Sequence, residues 1–110
     1  MTIRTHEVKS WPQFFRAIAV GERTHELRRN DRDYGLGDRL LLREYDPNAK
    51  SYTGSFCEAL ITSITSQEIP CAVSDLGLDP DFCILSIRVR SVSPDLFDSA
   101  NSTISTTWWA

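Results

Sequence analysis

Ser10-Trp-Pro-Gln-Phe-Phe-Arg-Ala-Ile-Ala-Val-Gly21, running directly into Glu22-Arg-Thr-His-Glu-Leu-Arg28, sets the architecture of this chain. Trp11, Phe14, Phe15 and Ile18 recur at i, i+3, i+4 and i+7, which is one face of a helix. Ser10 and Gln13 stand in the Ser-x-x-Gln relation of a capping box. Pro12 falls in the first turn, where its missing N–H does no harm. Gly21 supplies the stop, because a left-handed C-terminal residue is usually glycine. The spacing predicts a helix of about three turns whose aromatic stripe packs into a core.

On either side of this helix the pattern changes to strands. Residues 3–9 read as a short opening strand, and Thr24–Arg28 as another with Leu27 inward. Gly35-Leu-Gly37-Asp38 is a tight turn, since glycine takes positive φ without strain. Arg39–Tyr45 is an apolar-centred strand. The turn-rich stretch Asp46–Gly54 joins it as a hairpin to Ser55–Thr65, a long alternating strand with room for a bulge. Pro70, Gly77 and Pro80 make residues 66–81 a loop, with a single helical turn near Val73–Leu76. Phe82–Arg90 is β-branched and alternating. The order predicts an α+β fold: a small β-barrel of five to six mostly antiparallel strands, capped by one N-terminal helix. Residues 1–90 form that domain. Residues 91–110 form a Ser/Thr-rich C-terminal tail ending in Trp108-Trp109.

Between Gly21 and Asp33 the chain is dense in charge: eight of these thirteen residues are ionic and one more is a histidine. Arg23, Arg28, Arg29 and Arg32 interleave with Glu26, Asp31 and Asp33, beside the amide of Asn30. Guanidinium forks mixed with carboxylates and an amide suit a phosphate or the edge of a nucleobase. An all-structural reading is also open, with Glu26 and Arg28 as an ion pair on a barrel wall and Asn30–Asp33 as an Asx-type turn.

The bulk composition narrows the classes. A net charge of −3 argues against a protein that coats nucleic acid by bulk electrostatics. The charge is split, however. Residues 1–43 carry nine Arg/Lys against six Asp/Glu, and residues 44–110 carry three against nine. That asymmetry fits a local nucleic-acid or nucleotide contact on an acidic body. No run approaches the roughly 20 apolar residues of a membrane span. The first residues lack the apolar core of a signal peptide, so a cytoplasmic location is expected. Cys57, Cys71 and Cys83 have neither zinc-site nor disulfide spacing and read as reduced thiols. Asp31 and Asp33 alone make a poor metal site. Neither a metal nor a cofactor is expected.

Taken together, Trp11–Phe15, Gly21-Glu-Arg-Thr-His-Glu-Leu-Arg28, Asn30-Asp-Arg-Asp33, Gly37-Asp38 and Leu42-Arg-Glu-Tyr-Asp46 resemble the ASCH domains of the PUA-like superfamily. The nearest branch is one of small phage and bacterial proteins. Tyr52-Thr-Gly54 and the strand Phe82–Ile87 extend the resemblance, which covers residues 6–90. It implies a PUA-like β-barrel with a cleft that takes RNA or a nucleotide. One bacterial relative of this architecture is an amidohydrolase for N4-acetylcytidine, and others are linked to RNA cleavage. In the amidohydrolase a lysine and a threonine of the shared motif are catalytic.

This chain departs from that motif at both positions. Arg23 stands for the lysine and Glu26 for the threonine, with Thr24 merely adjacent. Arginine stays protonated, so it cannot serve as a base or an amine nucleophile, but it can hold an oxyanion bidentately. The first expectation is therefore an RNA- or nucleotide-binding module using Arg23, Glu26, Arg28, Asn30 and Arg32. Lys9 would supply the missing amine charge, and Tyr45 a ring for base stacking. The alternative is a hydrolase acting on a modified nucleoside or on RNA, with Glu26 or His25 as base. A third is a phage-encoded protein that meets a host protein through the barrel and the Trp108-Trp109 tail.

Overall fold

Three consecutive leucines centre the stretch Arg39-Leu-Leu-Leu-Arg-Glu-Tyr-Asp46, and in the strand it builds Leu40, Leu42 and Glu44 turn inward while their neighbours do not. The computed structural model of the chain describes residues 2–74 and 76–94. In chain order the elements are β1 (Thr5–Ser10), α1 (Pro12–Ala19), β2 (His25–Arg29), β3 (Arg39–Asp46), β4 (Ser51–Ser66) and β5 (Phe82–Ser93). They form one sheet in the order β1-β3-β4-β5-β2. β1 runs parallel to β3, and the other three pairings are antiparallel. The sheet curls into a half-barrel with α1 against it, the α+β, ASCH-type PUA-like fold expected from the sequence. β5 runs past the expected end of the domain, so Ser91, Val92 and Ser93 of the expected tail belong to the sheet. The rest of that tail from residue 95 onward, with Trp108-Trp109, lies outside the described residues.

Period-two burial shows which side of each strand faces in. Leu40 and Leu42 on β3, Cys57, Ala59 and Ile61 on β4, and Cys83, Leu85 and Ile87 on β5 are buried and meet Phe15, Ile18 and Ala19 of α1. β4 keeps its inward set despite register shifts between Glu58 and Ala59 and between Ile61 and Ser63. The second shift leaves out Thr62, the bulge expected in this long strand, and the first leaves out Arg90 of β5. Bulges bend a strand and help a sheet to curl. A salt bridge from a part-exposed arginine to a buried glutamate also fastens the helix. Arg16 Nε lies 3.3 Å from Glu44 Oε2 on β3, and Thr53 Oγ1 donates to Glu44 Oε1 at 2.6 Å.

The helix differs from its sequence reading at both ends. Trp11 is the N-cap residue and makes no side-chain cap bond, while Pro12 occupies the first turn. Ser10 belongs to β1, so its hydroxyl turns into the barrel, where it has no hydrogen-bond partner among the described residues. The capping box therefore does not form, because its first member is already held by a strand ladder. The helix spans eight residues, nearer two turns than three. Gly21, at φ +85°, takes the left-handed conformation expected of it. Residues 67–74 and 76–81 contain turns and no helical turn among the described residues.

β1 and β2 terminate opposite ends of the strand order, yet they approach each other as the sheet curls. Arg28 Nη1 of β2 donates to the carbonyl of Lys9 at 3.3 Å. Arg32 Nη1, just beyond β2, donates to the carbonyl of Glu7 at 2.8 Å. Residues two apart on a strand present their carbonyls to the same edge, so two guanidinium groups cap neighbouring carbonyls along β1. Arg4 Nη2 donates in the reverse direction to the carbonyl of Asp33. Side chains thus stitch a seam that no backbone ladder closes.

Candidate functional site

At this seam, β1, the start of α1 and β2 enclose a cleft of about 380 Å³. Its polar lining is Lys9, Ser10, Arg23, Glu26, Arg28 and Arg29, and its apolar lining is Trp11, Phe14, Leu27 and Phe82. Of the residues singled out from sequence, the fold brings Lys9, Arg23, Glu26 and Arg28 together here. His25, Asn30, Arg32 and Tyr45 are not among its walls.

Glu26 and Arg28 are two apart on β2 and share its inner face, as strand periodicity requires. Glu26 is 6% exposed, its charge compensated by Arg28 Nη1 at 2.5 Å from Oε2. Removing a carboxylate from water is costly unless it is paired, and Arg28 meets that need while also holding the Lys9 carbonyl. Glu26 Oε1 accepts no hydrogen bond among the described residues. Leu27, expected inward, is 53% exposed instead. The ion pair occupies the interior side of β2, which turns the leucine out. His25, on the same face as Leu27, is exposed and directed away from Glu26.

Arg23 follows the helix, with its N–H donating to the Ala17 carbonyl at 3.0 Å. Its guanidinium carbon lies 5.0 Å from the ring centre of Phe14. Arg29 Cζ lies similarly 5.3 Å from the ring of Phe82. Trp11 and Phe14, read from sequence as part of a core stripe, are 50% and 41% exposed. Phe15 and Ile18, on the other half of the stripe, are fully buried. A helical stripe wider than the sheet it covers leaves its first aromatic residues over the cleft. Trp11, Phe14 and Phe82 thus line the candidate site though sequence reasoning gave them no part in it, and Arg29, named only as one of the charged stretch's arginines, joins them. The signal available for the two aromatics was their place at the start of the stripe, nearest β1.

The remaining candidates lie elsewhere. Arg32 is engaged with Glu7 at the seam. Asn30 is exposed, and its N–H donates to the Asp81 carbonyl at 2.7 Å. Tyr45 is on the outer side of β3, with Lys9 Nζ 4.3 Å from its ring centre. Inside the barrel, His6 Nε2 lies 2.8 Å from Asp38 Oδ2. Burial alone would raise the Asp38 pKa. Hydrogen bonds from His6 and from the N–H groups of Arg4 and Gly35 outweigh it and hold the carboxyl below its ordinary 3.8. Tyr34 packs edge-on to His6 at 4.8 Å. Burial raises its phenol pKa, and the nearby charges of Arg28 and Arg32 only partly offset this. Burial and then the Glu26 charge push the Cys57 thiol up to about 12.

A wider hollow of about 570 Å³ opens on the other side of Arg23, between the end of α1 and β5. Its walls include Ile18, Val20, Ile87 and Val89, with Arg23 and Arg88 as its cations and no aromatic ring. The smaller cleft holds three rings, four cations and a carboxylate. Chemistry, not size, marks it as the candidate site. Among the described residues no cluster of His, Cys, Asp and Glu is arranged to hold a metal ion. No helix among them is long and apolar enough to cross a membrane.

Comparison with known proteins agrees with the fold. The crystal structure of ASCH from Zymomonas mobilis superposes with a TM-score of 0.51 at 19% identity, over 79% of this chain and 67% of that one. A tyrosine-to-phenylalanine variant of the same protein gives 0.51 at 18% identity, over 79% and 69%. In sequence, an uncharacterised 12.9 kDa protein from the GpA 3′ region of Escherichia phage P2 is 37% identical over 65 residues. That match covers 59% of this chain and 58% of the phage protein, less than two thirds of the relative's length. The family model described as "Domain of unknown function (DUF3850)" matches residues 5–87, from the first residue of β1 into β5, and the chain belongs to that family.

Proposed function

We propose that this domain binds single-stranded RNA, holding an unpaired nucleotide in the cleft between β1, α1 and β2. The observation that carries the reading is the pairing of rings with cations on the cleft walls. Arg23 lies against Phe14 and Arg29 against Phe82, with half-exposed Trp11 at the rim. Rings supply stacking surface for any base, and guanidinium groups supply phosphate contacts. Glu26 Oε1, which accepts no hydrogen bond among the described residues, is available to accept from an exocyclic amino group. The likeness to ASCH structures supports the same reading at the level of the fold.

Binding is favoured over hydrolysis by the residues present. Arg23 cannot act as a base at physiological pH. Glu26 is committed through one oxygen to Arg28, and exposed His25 lies on the other face of β2. Fluorescence anisotropy with a labelled single-stranded RNA tests the proposal. Affinity should fall as salt rises, and Arg23→Ala and Arg29→Ala should each weaken binding and make the salt slope shallower by about one. Absence of binding at low salt would sink it.

A further inference from the structure

We propose that the RNA strand leaving the cleft continues across Lys9 onto a second stacking platform on the outer face of β3 and β4, so that the ligand is an oligonucleotide and not a single nucleotide. This rests on the cleft reading above. Lys9 is the link, since it lines the cleft and also carries its ammonium 4.3 Å from the Tyr45 ring centre and 6.0 Å from that of Tyr52. The two tyrosines meet edge to face at 5.2 Å and 75°. Arg43 Cζ lies 3.8 Å from the Tyr52 ring centre. Beside them a hollow of about 250 Å³ is walled by Tyr52, Phe56, Leu41, Arg43 and the Glu7 carboxylate that pairs with Arg43.

Three features separate this platform from an ordinary hairpin surface. Tyr52 and Phe56 are 39% and 41% exposed on adjoining stretches of one strand, which leaves ring area open to solvent. Each tyrosine is held against a cation and against the other ring, so little freedom remains to be lost on binding. Its charge is also unbalanced. Arg43 has Glu7 at 3.2 Å, while Lys9 has no carboxylate within ion-pair distance among the described residues. Stacked rings beside an uncompensated cation match a base and its phosphate. A free mononucleotide would fill the cleft and leave the platform empty. A continuous sugar–phosphate backbone would bring the next bases to it at high effective concentration.

The test compares binding of a dinucleotide and an octanucleotide of the same RNA by the wild-type chain and by Tyr52→Leu and Phe56→Leu. Both substitutions keep apolar bulk on the strand, and a thermal melt confirms folding. The expected result is that wild type binds the octamer at least about tenfold more tightly than the dimer. Each variant should lose most of that gain while binding the dimer as wild type does. A gain retained in both folded variants would overturn the platform and leave the cleft reading intact, as would equal affinity of wild type for both lengths. If neither RNA binds, the cleft reading fails and the platform with it.

Discussion

Arg28 on β2 donates to the carbonyl of Lys9 on β1 at 3.3 Å while its Nη1 also meets Glu26 Oε2 at 2.5 Å. One guanidinium therefore neutralises a buried carboxylate and ties together the two strands that end the sheet. Arg28→Ala would leave Glu26 buried and unpaired, which is the costly way to break such a pair. Urea denaturation should show a loss of about 3 kcal/mol. Adding Glu26→Gln should recover part of it, because the neutral amide tolerates burial better than an orphaned charge. A double variant as unstable as the single one would contradict this account.

Neighbouring aromatic residues on α1 should behave in opposite ways. Phe15 is fully enclosed, so Phe15→Ala should cost about 3–4 kcal/mol of stability by cavity formation. Trp11 is half exposed, so Trp11→Ala should cost less than about 1 kcal/mol. On the proposed function, Trp11→Ala should nonetheless weaken RNA binding by about tenfold. Parallel measurement of unfolding and anisotropy separates the two effects.

That contrast shows what could be read from the sequence and what could not. β5 was legible because burial on one side of a sheet forces alternation, and β3 because its apolar centre lies between turns. So was the helix, from its apolar spacing and Gly21. The periodicity says that Trp11, Phe14, Phe15 and Ile18 share a face, but it cannot say where the sheet beneath them ends. Leu27 and Glu26 were inverted for a related reason. Leucine faces inward by default, and only the Arg28 pair and the distant Lys9 carbonyl reverse the preference. Of the charged stretch, Arg23, Glu26 and Arg28 reach the cleft, whereas Arg32 is drawn to the edge of β1, a partner 25 residues away in the chain.

Acid should weaken the fold through Asp38. Its folded pKa lies below the ordinary 3.8, so the carboxylate stabilises the native state above that value. The contribution is lost as pH falls through the folded pKa. Asp38→Asn should be less stable than wild type at neutral pH by about 2 kcal/mol, since charge-assisted hydrogen bonds are replaced by neutral ones. As pH falls below about 4 its urea midpoint should change less than that of wild type. Parallel curves for the two proteins would remove Asp38 as the cause.

The three cysteines should divide by access. Cys71 is exposed, and Cys57 and Cys83 are buried. Burial raises the pKa of both interior thiols, that of Cys57 to about 12. Thiolate is the reactive form, so a disulfide reagent at about pH 8 should titrate one thiol in the native protein and three after denaturation. Rapid reaction of a second thiol in the folded chain would show that the barrel interior opens more readily than its packing implies.

The antiparallel register of β2 on β5, with Glu26 opposite Leu85, has a consequence in time as well as in space. A ribosome makes β2, the strand that carries the cleft's ion pair, before it makes β5, the strand that β2 pairs with. Until residues 82–93 emerge, β2 has no ladder to join. Phe82, one ring of the cleft, is also missing from the nascent chain. Non-local pairing of this kind is slow to form because the intervening loop must close first. A ribosome-bound chain stopped before Phe82 would carry Arg23, Glu26 and Arg28 and still lack the cleft, so the site is completed only once β5 has been made.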